Sequence, residues 1–511
     1  MLDLLMFGGL VAAILSGFPA AFAIAGVAIL FALFGAAIGA FDLSLLGALG
    51  QRVFGVITNP VLIAIPLFVF MGIVLEKSRI AEELLTTMGR LFGRLPGGLG
   101  VSVVLVGALL AASTGIVGAT VVAMGLIALP AMLKAGYGAP MGAGIVATSG
   151  TLGQIIPPST LLIILSDVMS NAYQQAQFAA GKFTIDTISV GETFAAALLP
   201  GLVLVTIYIA YIGVRAAIRP SDLPPLTDAG RVSPREVLLV IAPPIALILA
   251  VLGSILGGVA TPSEAAAVGA VGAVLMAGAR LGSVAPVLVG AAAFIAVAVL
   301  SALRPIRLQR DDTTALDYAV ASGAGILILL GALALVISLG RLLEGGLLRE
   351  VARQTMTVSA MIFATIITAS MFSLVFVGLG GETRIEDILT AMPGGATGAL
   401  IFAMALIFVL GFFLDFVEIS VSLLPLVLPV LITMGHDPTW LAVLVAINLQ
   451  TSFLTPPFGF SLFYLRGAAP PEVSTGAIYR GVAPFIVLQM LGIAVIWLIP
   501  AIATTLPGLL Y

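Results

Sequence analysis

The sequence contains no cysteine and a single histidine, His436. The first absence excludes a disulfide, a thiolate nucleophile and a cysteine metal site. The second leaves no histidine cluster for a metal and no support for a Ser-His-Asp triad. No H-E-x-x-H spacing is present either, so an intramembrane enzyme is not expected. Charge is also scarce. Only 9% of the 511 residues are Asp, Glu, Lys or Arg, against about 25% in an ordinary soluble domain. The net charge of -3 is small and argues against a nucleic-acid partner.

Apolar residues fill the space that charge leaves. They make up 61% of the chain, and the mean hydropathy is +1.24. Runs long enough to span a bilayer, about 20 residues, recur from end to end. They do not alternate apolar and polar, so helices are expected rather than barrel strands. The N-terminal run carries an Ala-Phe-Ala stretch, but no Lys or Arg precedes it and the apolar run continues. It reads as a retained first span rather than a signal peptide.

Spans are expected at 5–36, 53–76, 138–166, 193–215, 237–257, 262–280, 284–303, 318–340, 356–378, 438–466 and 484–505. Two further stretches, 97–134 and 394–434, are about twice as long as the roughly 30 Å apolar thickness allows at 1.5 Å per residue. Each must fold back into a hairpin. The breaks lie at Ser113-Thr114-Gly115 through Gly118 and Thr120, and around Asp415 to Glu418.

Lys and Arg set the orientation. Clusters at Lys77 to Arg94, Arg215 to Arg235 and Arg341 to Arg353 are expected in the cytoplasm. The 167–192 and 381–392 loops, rich in Asp and Glu, are expected outside. The 304–317 loop falls outside on this threading although it holds Arg304, Arg307 and Arg310. The first hairpin then enters from the cytoplasm and the second from outside.

The hairpins belong to an internal repeat. Leu129-Pro130, Gly136 and Pro157-Pro158 match Leu428-Pro429, Gly435 and Pro456-Pro457 without a gap. Upstream, Leu95-Pro96-Gly97-Gly98 echoes Met392-Pro393-Gly394-Gly395. Two prolines in a row cannot sit inside an unbroken helix, because each lacks an N–H and clashes with the preceding turn. A broken helix exposes carbonyls at one end and N–H groups at the other. In a bilayer these must face protein, water or a ligand. Carbonyls suit a hard cation such as Na⁺, and helix N-termini suit an anion. Paired inverted repeats with broken helices are how secondary transporters build a midplane site.

Individual residues follow from that frame. Intramembrane acids are costly and functional by default, so Asp415 is expected to attract or ligate a cation, with Glu418 three residues on, on the same helical face. Ser149, Gly150, Thr151 and Gly153 precede the first Pro-Pro; Asn448, Gln450, Thr451, Ser452 and Thr455 precede the second. Their side chains either ligate an ion or bond back to their own helix. Ser149, Asn448 and Thr451 are favoured as ligands. Glu264, in Thr261-Pro262-Ser263-Glu264, is read as half of a capping box. His436 is expected in a loop in solvent, and Arg466 as an interface anchor.

The stretches PLFVFMGIVLEKS, GRLPGGLG, GYGAPMGAGIVATSGTLGQIIPPS, GGVATPSEAAAVGAV and LDFVEI followed by LTPPFG resemble the large membrane subunit of tripartite ATP-independent periplasmic (TRAP) transporters. The resemblance implies an all-α polytopic protein of elevator-type architecture in a bacterial inner membrane, importing an organic acid on a Na⁺ gradient. A self-sufficient Na⁺- or H⁺-coupled carboxylate carrier is the alternative. It further implies a small four-helix membrane subunit and a periplasmic substrate-binding protein as partners.

The resemblance also distributes the chain. Residues 1–94 are expected as scaffold, 95–192 as the first transport repeat and 193–390 as scaffold with an added helix pair at 284–340. Residues 391–470 are the second repeat and 471–511 a C-terminal helix. One Na⁺ site is expected where Ser113, Thr114 and Gly115 meet Ser149, Gly150, Thr151 and Gly153. A second is expected where Asp415 meets Asn448, Thr451, Thr455 and Pro456. The family's first tip usually reads Ser-Gly-Ser; here it is Ser113-Thr114-Gly115, which favours backbone carbonyls there. Substrate contacts are expected from Gly118, Thr120, Pro157, Pro158, Ser159, Glu418, Pro457 and Gly459.

Overall fold

The computed structural model describes residues 1–115, 117–182, 186–226, 232–304 and 313–511, without the side chains of Ser113 and Thr114. The described residues form helices joined by turns and short links, with no strand among them. Helices α1 (Leu2–Leu15) and α2 (Ala20–Ala37) pack side by side. The single span expected over 5–36 is therefore two helices. The chain turns between them at Pro19, which has no N–H to continue the first.

The span expected over 53–76 is likewise divided, into α3 (Leu49–Thr58) and α4 (Ala64–Lys77). Helix α5 (Ile80–Phe92) occupies the expected cytoplasmic loop. It buries Ile80, Leu84, Leu85 and Met88 and keeps Glu82, Glu83 and Arg90 on its other side. Such a short amphipathic helix escapes a search for long apolar runs.

Helices α6 (Gly98–Thr114) and α7 (Val117–Lys134) pack against each other, so the first long stretch folds back as expected. The first broken helix is α8 (Ala139–Thr151), a 3-10 turn at Leu152–Gln154, a break, and then α9 (Thr160–Ala179). It runs well past the expected end at 166. Next come α10 (Val190–Ile218), α11 (Pro234–Leu256), α12 (Pro262–Arg280), α13 (Ala285–Leu303), α14 (Ala315–Glu344), α15 (Leu347–Gly378) and α16 (Gly381–Thr390). Helix α16 is another short amphipathic helix in an expected loop. Of the 304–317 loop, residues 305–312, including Arg307 and Arg310, lie outside the described residues. Arg304 pairs with Asp317 at 2.6 Å.

The second hairpin descends on α17 (Gly395–Leu410) and returns on α18 (Phe416–Ser422) and α19 (Leu424–Thr433), which meet at 58°. The second broken helix is α20 (Pro438–Leu454) and α21 (Phe460–Ala468). The chain ends on α22 (Thr475–Leu498) and α23 (Ala501–Leu510). The span expected over 484–505 thus starts earlier and is interrupted, at Ile499 and Pro500.

Among the described residues, α2, α7, α10 to α15 and α22 are each long and apolar enough to cross a membrane. Large exposed residues such as Leu288, Ile295, Leu329 and Leu333 on α13 and α14 give these two helices an apolar outer face. This is a multi-pass membrane protein.

The repeat extends to the backbone. Gly136 and Gly435, matched in sequence, have φ of 89° and 99°, and Gly97 and Gly394 have 79° and 91°. These left-handed values favour glycine. Both Pro-Pro peptide bonds, 157–158 and 456–457, are cis. Helices α10 and α22 pack on the repeats: α22 lies along α8 and α20, while α10 touches α6, α9, α20 and α22. Helices α4, α12 and α15 form a second group. Ion pairs tie the amphipathic helices down. On α5, Arg90 pairs with Glu236 at 2.7 Å and Glu83 pairs with Arg280. On α16, Arg384 pairs with the buried Asp3 of α1.

Candidate functional site: two breaks crossing at a pseudo-two-fold

The breaks span residues 155–159 and 455–459, and at each a serine hydroxyl reaches back to one carbonyl ahead of the break. Ser159 donates its hydroxyl to the Gln154 carbonyl at 2.9 Å, and Ser461 donates to the Phe453 carbonyl at 2.8 Å. These bonds hold each half-helix to its partner across the prolines. The broken helices meet where Gln450 Nε2 approaches Thr151 Oγ1 at 3.5 Å. Thr151 and Gln450 are repeat equivalents, separated by the same 299 residues as the two Pro-Pro pairs. A contact between equivalent residues marks the axis relating the halves. Tyr208, fully buried on α10, stands beside both Gln450 of α20 and the fully buried Gln489 of α22.

Both arms of the first hairpin grip the first broken helix. A Cβ on Gly107 would stand 3.0 Å from the Ser149 carbonyl oxygen, and one on Gly153 would stand 3.5 Å from Ala111. From α7, Val121 packs on Gly150, where a Cβ would be 3.2 Å from the Val121 backbone nitrogen. At the tip, Gly115 has φ of 59°, and a Cβ there would lie 3.0 Å from Thr160 Oγ1 and 3.1 Å from its amide nitrogen. Of the residues expected at the first site, Ser149, Gly150 and Gly153 thus lie against the arms of the hairpin, while its tip at Gly115 meets Thr160 and Ser159, the latter expected as a substrate contact, at the start of α9. The side chains of Ser113 and Thr114 lie outside the described residues. Thr120 is buried in α7.

The second half repeats the arrangement with different side chains. Asn448, the equivalent of Ser149, donates to the Met404 carbonyl at 2.7 Å, tying α20 to α17. Gly411 packs on Ser452. Phe413 at the tip and Phe458 in the break have centroids 5.5 Å apart. The Pro457 carbonyl accepts from Tyr479 at 2.7 Å. Pro456 lies beside it, and Gly459 sits where a Cβ would be 2.8 Å from the Phe453 carbonyl oxygen. The hydroxyls of Ser149, Thr151, Thr451 and Thr455 each donate to a carbonyl of their own helix, at 2.6 to 2.8 Å. Their lone pairs are what remains for a ligand.

Asp415 and Glu418 stand together, as their spacing predicts, but as a capping pair at the start of α18. Asp415 is the N-cap of α18: its Oδ1 accepts from the Phe416 amide at 2.7 Å. Glu418 Oε2 accepts from the Asp415 amide at 3.0 Å. This reciprocal capping box was legible as Asp-x-x-Glu, the pattern that identifies Glu264. There the reading holds: Glu264 Oε2 accepts from the Thr261 amide at 2.8 Å, and Thr261 Oγ1 accepts from the Glu264 amide at 3.3 Å. Glu264→Ala is expected to lower the melting temperature slightly and to leave transport unchanged; a large transport defect would contradict the capping assignment. His436, expected in solvent, instead bonds the Ala396 carbonyl at 3.0 Å and lies 6.0 Å from the Trp440 ring. Sequence reading passed over Tyr464 of α21. Its ring covers Gly118 of α7, where a Cβ would stand 3.0 Å from it, and so bridges the two repeats. Gln154 was passed over as well.

The sequence matches the family described as tripartite ATP-independent periplasmic transporter, DctM component, over residues 7–304 and 313–502. The chain belongs to that family. It is a TRAP-type large permease, and the matched residues include α13 and α14. Similar proteins include the C4-dicarboxylate TRAP transporter large permease DctM of Pseudomonas aeruginosa, 27% identical over 90% of this chain and 89% of that one. The DctM protein of Rhodobacter capsulatus is 26% identical over 99% of each chain. The ectoine TRAP transporter large permease TeaC of Halomonas elongata is 25% identical, also over 99% of each. In fold, the chain resembles the YdaH transporter of Alcanivorax borkumensis, with a TM-score of 0.54, 15% identity and 89% and 88% of the two chains covered.

Proposed function

We propose that this TRAP permease carries an organic acid inward on a Na⁺ gradient, receiving it from a periplasmic binding protein and working beside a small four-helix membrane subunit in the inner membrane. The observation that carries the reading is the crossing of the two broken helices at Thr151 and Gln450, with a hairpin seated on each. Two equivalent breaks around one axis give two ion sites and a substrate position between them. Breaks 155–159 and 455–459 offer carbonyls from α8 and α20 to Na⁺ and N–H groups from α9 and α21 to a carboxylate. From Gly98 to Ala179 and from Gly395 to Ala468, Lys134 and Arg466 are the only Lys or Arg. An anion bound between the breaks would therefore rely on those N-termini and on co-bound Na⁺. The two hairpins, the broken helices and α22 form the body that moves in elevator fashion, joined by α10, which the sequence places in the scaffold but which packs on α6, α9, α20 and α22; α4, α12 and α15 belong to the scaffold.

The test is uptake of a labelled organic-acid panel into proteoliposomes holding the two membrane subunits, with and without a Na⁺ gradient and with and without the binding protein. Uptake needing both is expected. Uptake without the binding protein would mean a self-sufficient carrier, and uptake following protons would remove the Na⁺ sites. Within this assay, Asp415→Asn separates cap from charge, since Asn caps nearly as well as Asp. Apparent Na⁺ affinity is expected to fall by about tenfold, the equivalent of about 1.4 kcal/mol. Unchanged Na⁺ dependence would sink the role of Asp415.

A further inference from the structure

Gln154 ends the 3-10 turn ahead of the first break. It is 1% exposed, and neither Oε1 nor Nε2 has a hydrogen-bond partner among the described residues. Gln154 follows Thr151, the residue that meets Gln450 on the axis, by three residues, and residues three apart are neighbours on one side of a helical turn. Two more buried hydroxyls without a partner among the described residues flank it in the chain, Thr148 Oγ1 on α8 and Thr160 Oγ1 at the start of α9.

The other repeat shows that the fold does not require this chemistry. The equivalents of Thr148, Gln154 and Thr160 are Ile447, Phe453 and Gly459. Phe453 stacks on Phe460 at 5.1 Å and lies 6.0 Å from Phe416. Where one repeat closes its break with aromatic packing, the other holds a buried carboxamide that opposes folding until something bonds to it. Local rules broken without a structural return mark functional positions.

The carboxamide also states what it would bind. A cation would use Oε1 and leave Nε2 unsatisfied. A group that donates and accepts side by side satisfies both: a hydroxyl next to a carboxylate, with Oε1 accepting from the hydroxyl and Nε2 donating to the carboxylate. Thr160 Oγ1 adds a hydroxyl donor at the first turn of α9. We infer that Gln154 is a specificity-determining contact for the cargo, and that the cargo is a 2-hydroxy acid whose hydroxyl and carboxylate meet this side chain beside the first break. The inference rests on the organic-acid importer reading above.

The experiment compares wild type with Gln154→Leu in proteoliposomes containing both membrane subunits, the binding protein and a Na⁺ gradient. The probes are 2-hydroxy acids and their deoxy counterparts: malate with succinate, lactate with propionate. Wild type is expected to prefer a hydroxy acid by at least about tenfold, and Gln154→Leu to lose most of that preference. Without cargo, Gln154→Leu is expected to melt at or above the wild-type temperature, because a lone amide gives way to an apolar group of similar size. A preference unchanged by the variant, no preference for any hydroxy acid, or a variant melting several degrees lower would each overturn the inference while leaving the importer standing. Absence of uptake for every acid would instead be the failure of the importer reading, and this inference would fall with it.

Discussion

Replacing Pro157 and Pro158 together by alanine should yield a protein that inserts and folds but transports at least about a hundredfold more slowly, the scale on which small misplacements of a site are felt. The physical basis is local. Alanine supplies the two N–H groups that proline lacks and removes the ring clash with the preceding turn. The chain between α8 and α9 is then free to continue as helix, drawing carbonyls and amides at the break into i→i−4 bonds. The Ser159 hydroxyl, which donates to the Gln154 carbonyl at 2.9 Å, would lose that acceptor. A closed helix offers neither carbonyls to an ion nor N–H groups to an anion. Uptake and thermal melting, measured together, separate loss of function from loss of fold. Near-normal uptake would remove the broken helix from the mechanism.

The second large effect falls on folding rather than transport. Helices α8 and α22 cross backbone to backbone at Gly144 and Gly481. A Cβ on Gly481 would stand 3.0 Å from the Gly144 amide nitrogen and closer still to the Pro140 carbonyl. What it meets is backbone, which cannot rotate away as a side chain can. Gly481→Leu should therefore cost more than about 3 kcal/mol, the upper end for overpacking, and abolish monodisperse protein in detergent. Gly476, in the first turn of the same helix with nothing near its missing Cβ, is the control: Gly476→Ala should purify and melt as wild type. Monodisperse, stable Gly481→Leu would mean that the α8–α22 crossing does not hold the repeats together.

Several features were legible without coordinates because their causes are local. Scarce charge and long apolar runs dictate a helical membrane protein. The doubled Pro-Pro dictates two breaks, since proline's missing N–H acts within one turn wherever it stands. The 97–134 stretch had to fold back because its length exceeds the bilayer. Gly136 and Gly435 carry the repeat in sequence and again in φ. Two local signals went unread, Pro19 inside the first apolar run and the Asp-x-x-Glu capping box at 415–418. Helices α5 and α16 were missed because a short amphipathic helix carries too little hydropathy to stand out from a loop.

Other features depend on residues far apart in the chain, and no periodicity or motif contains them. Nothing in the sequence says that α10 and α22 lie against the repeats, that Gly144 and Gly481 let two backbones touch, or that Thr151 and Gln450 face each other on the axis. Gln154 shows the difference most clearly. In sequence it is one polar residue beside a Pro-Pro, indistinguishable from neighbours that bond back to their own helix. Its isolation exists only after the surrounding helices have closed around it, because whether a side chain finds a hydrogen-bond partner is decided by what the rest of the chain brings within about 3 Å. Proline and length determine where this chain breaks and turns; only the packed molecule decides which polar atoms at those breaks are left for a ligand.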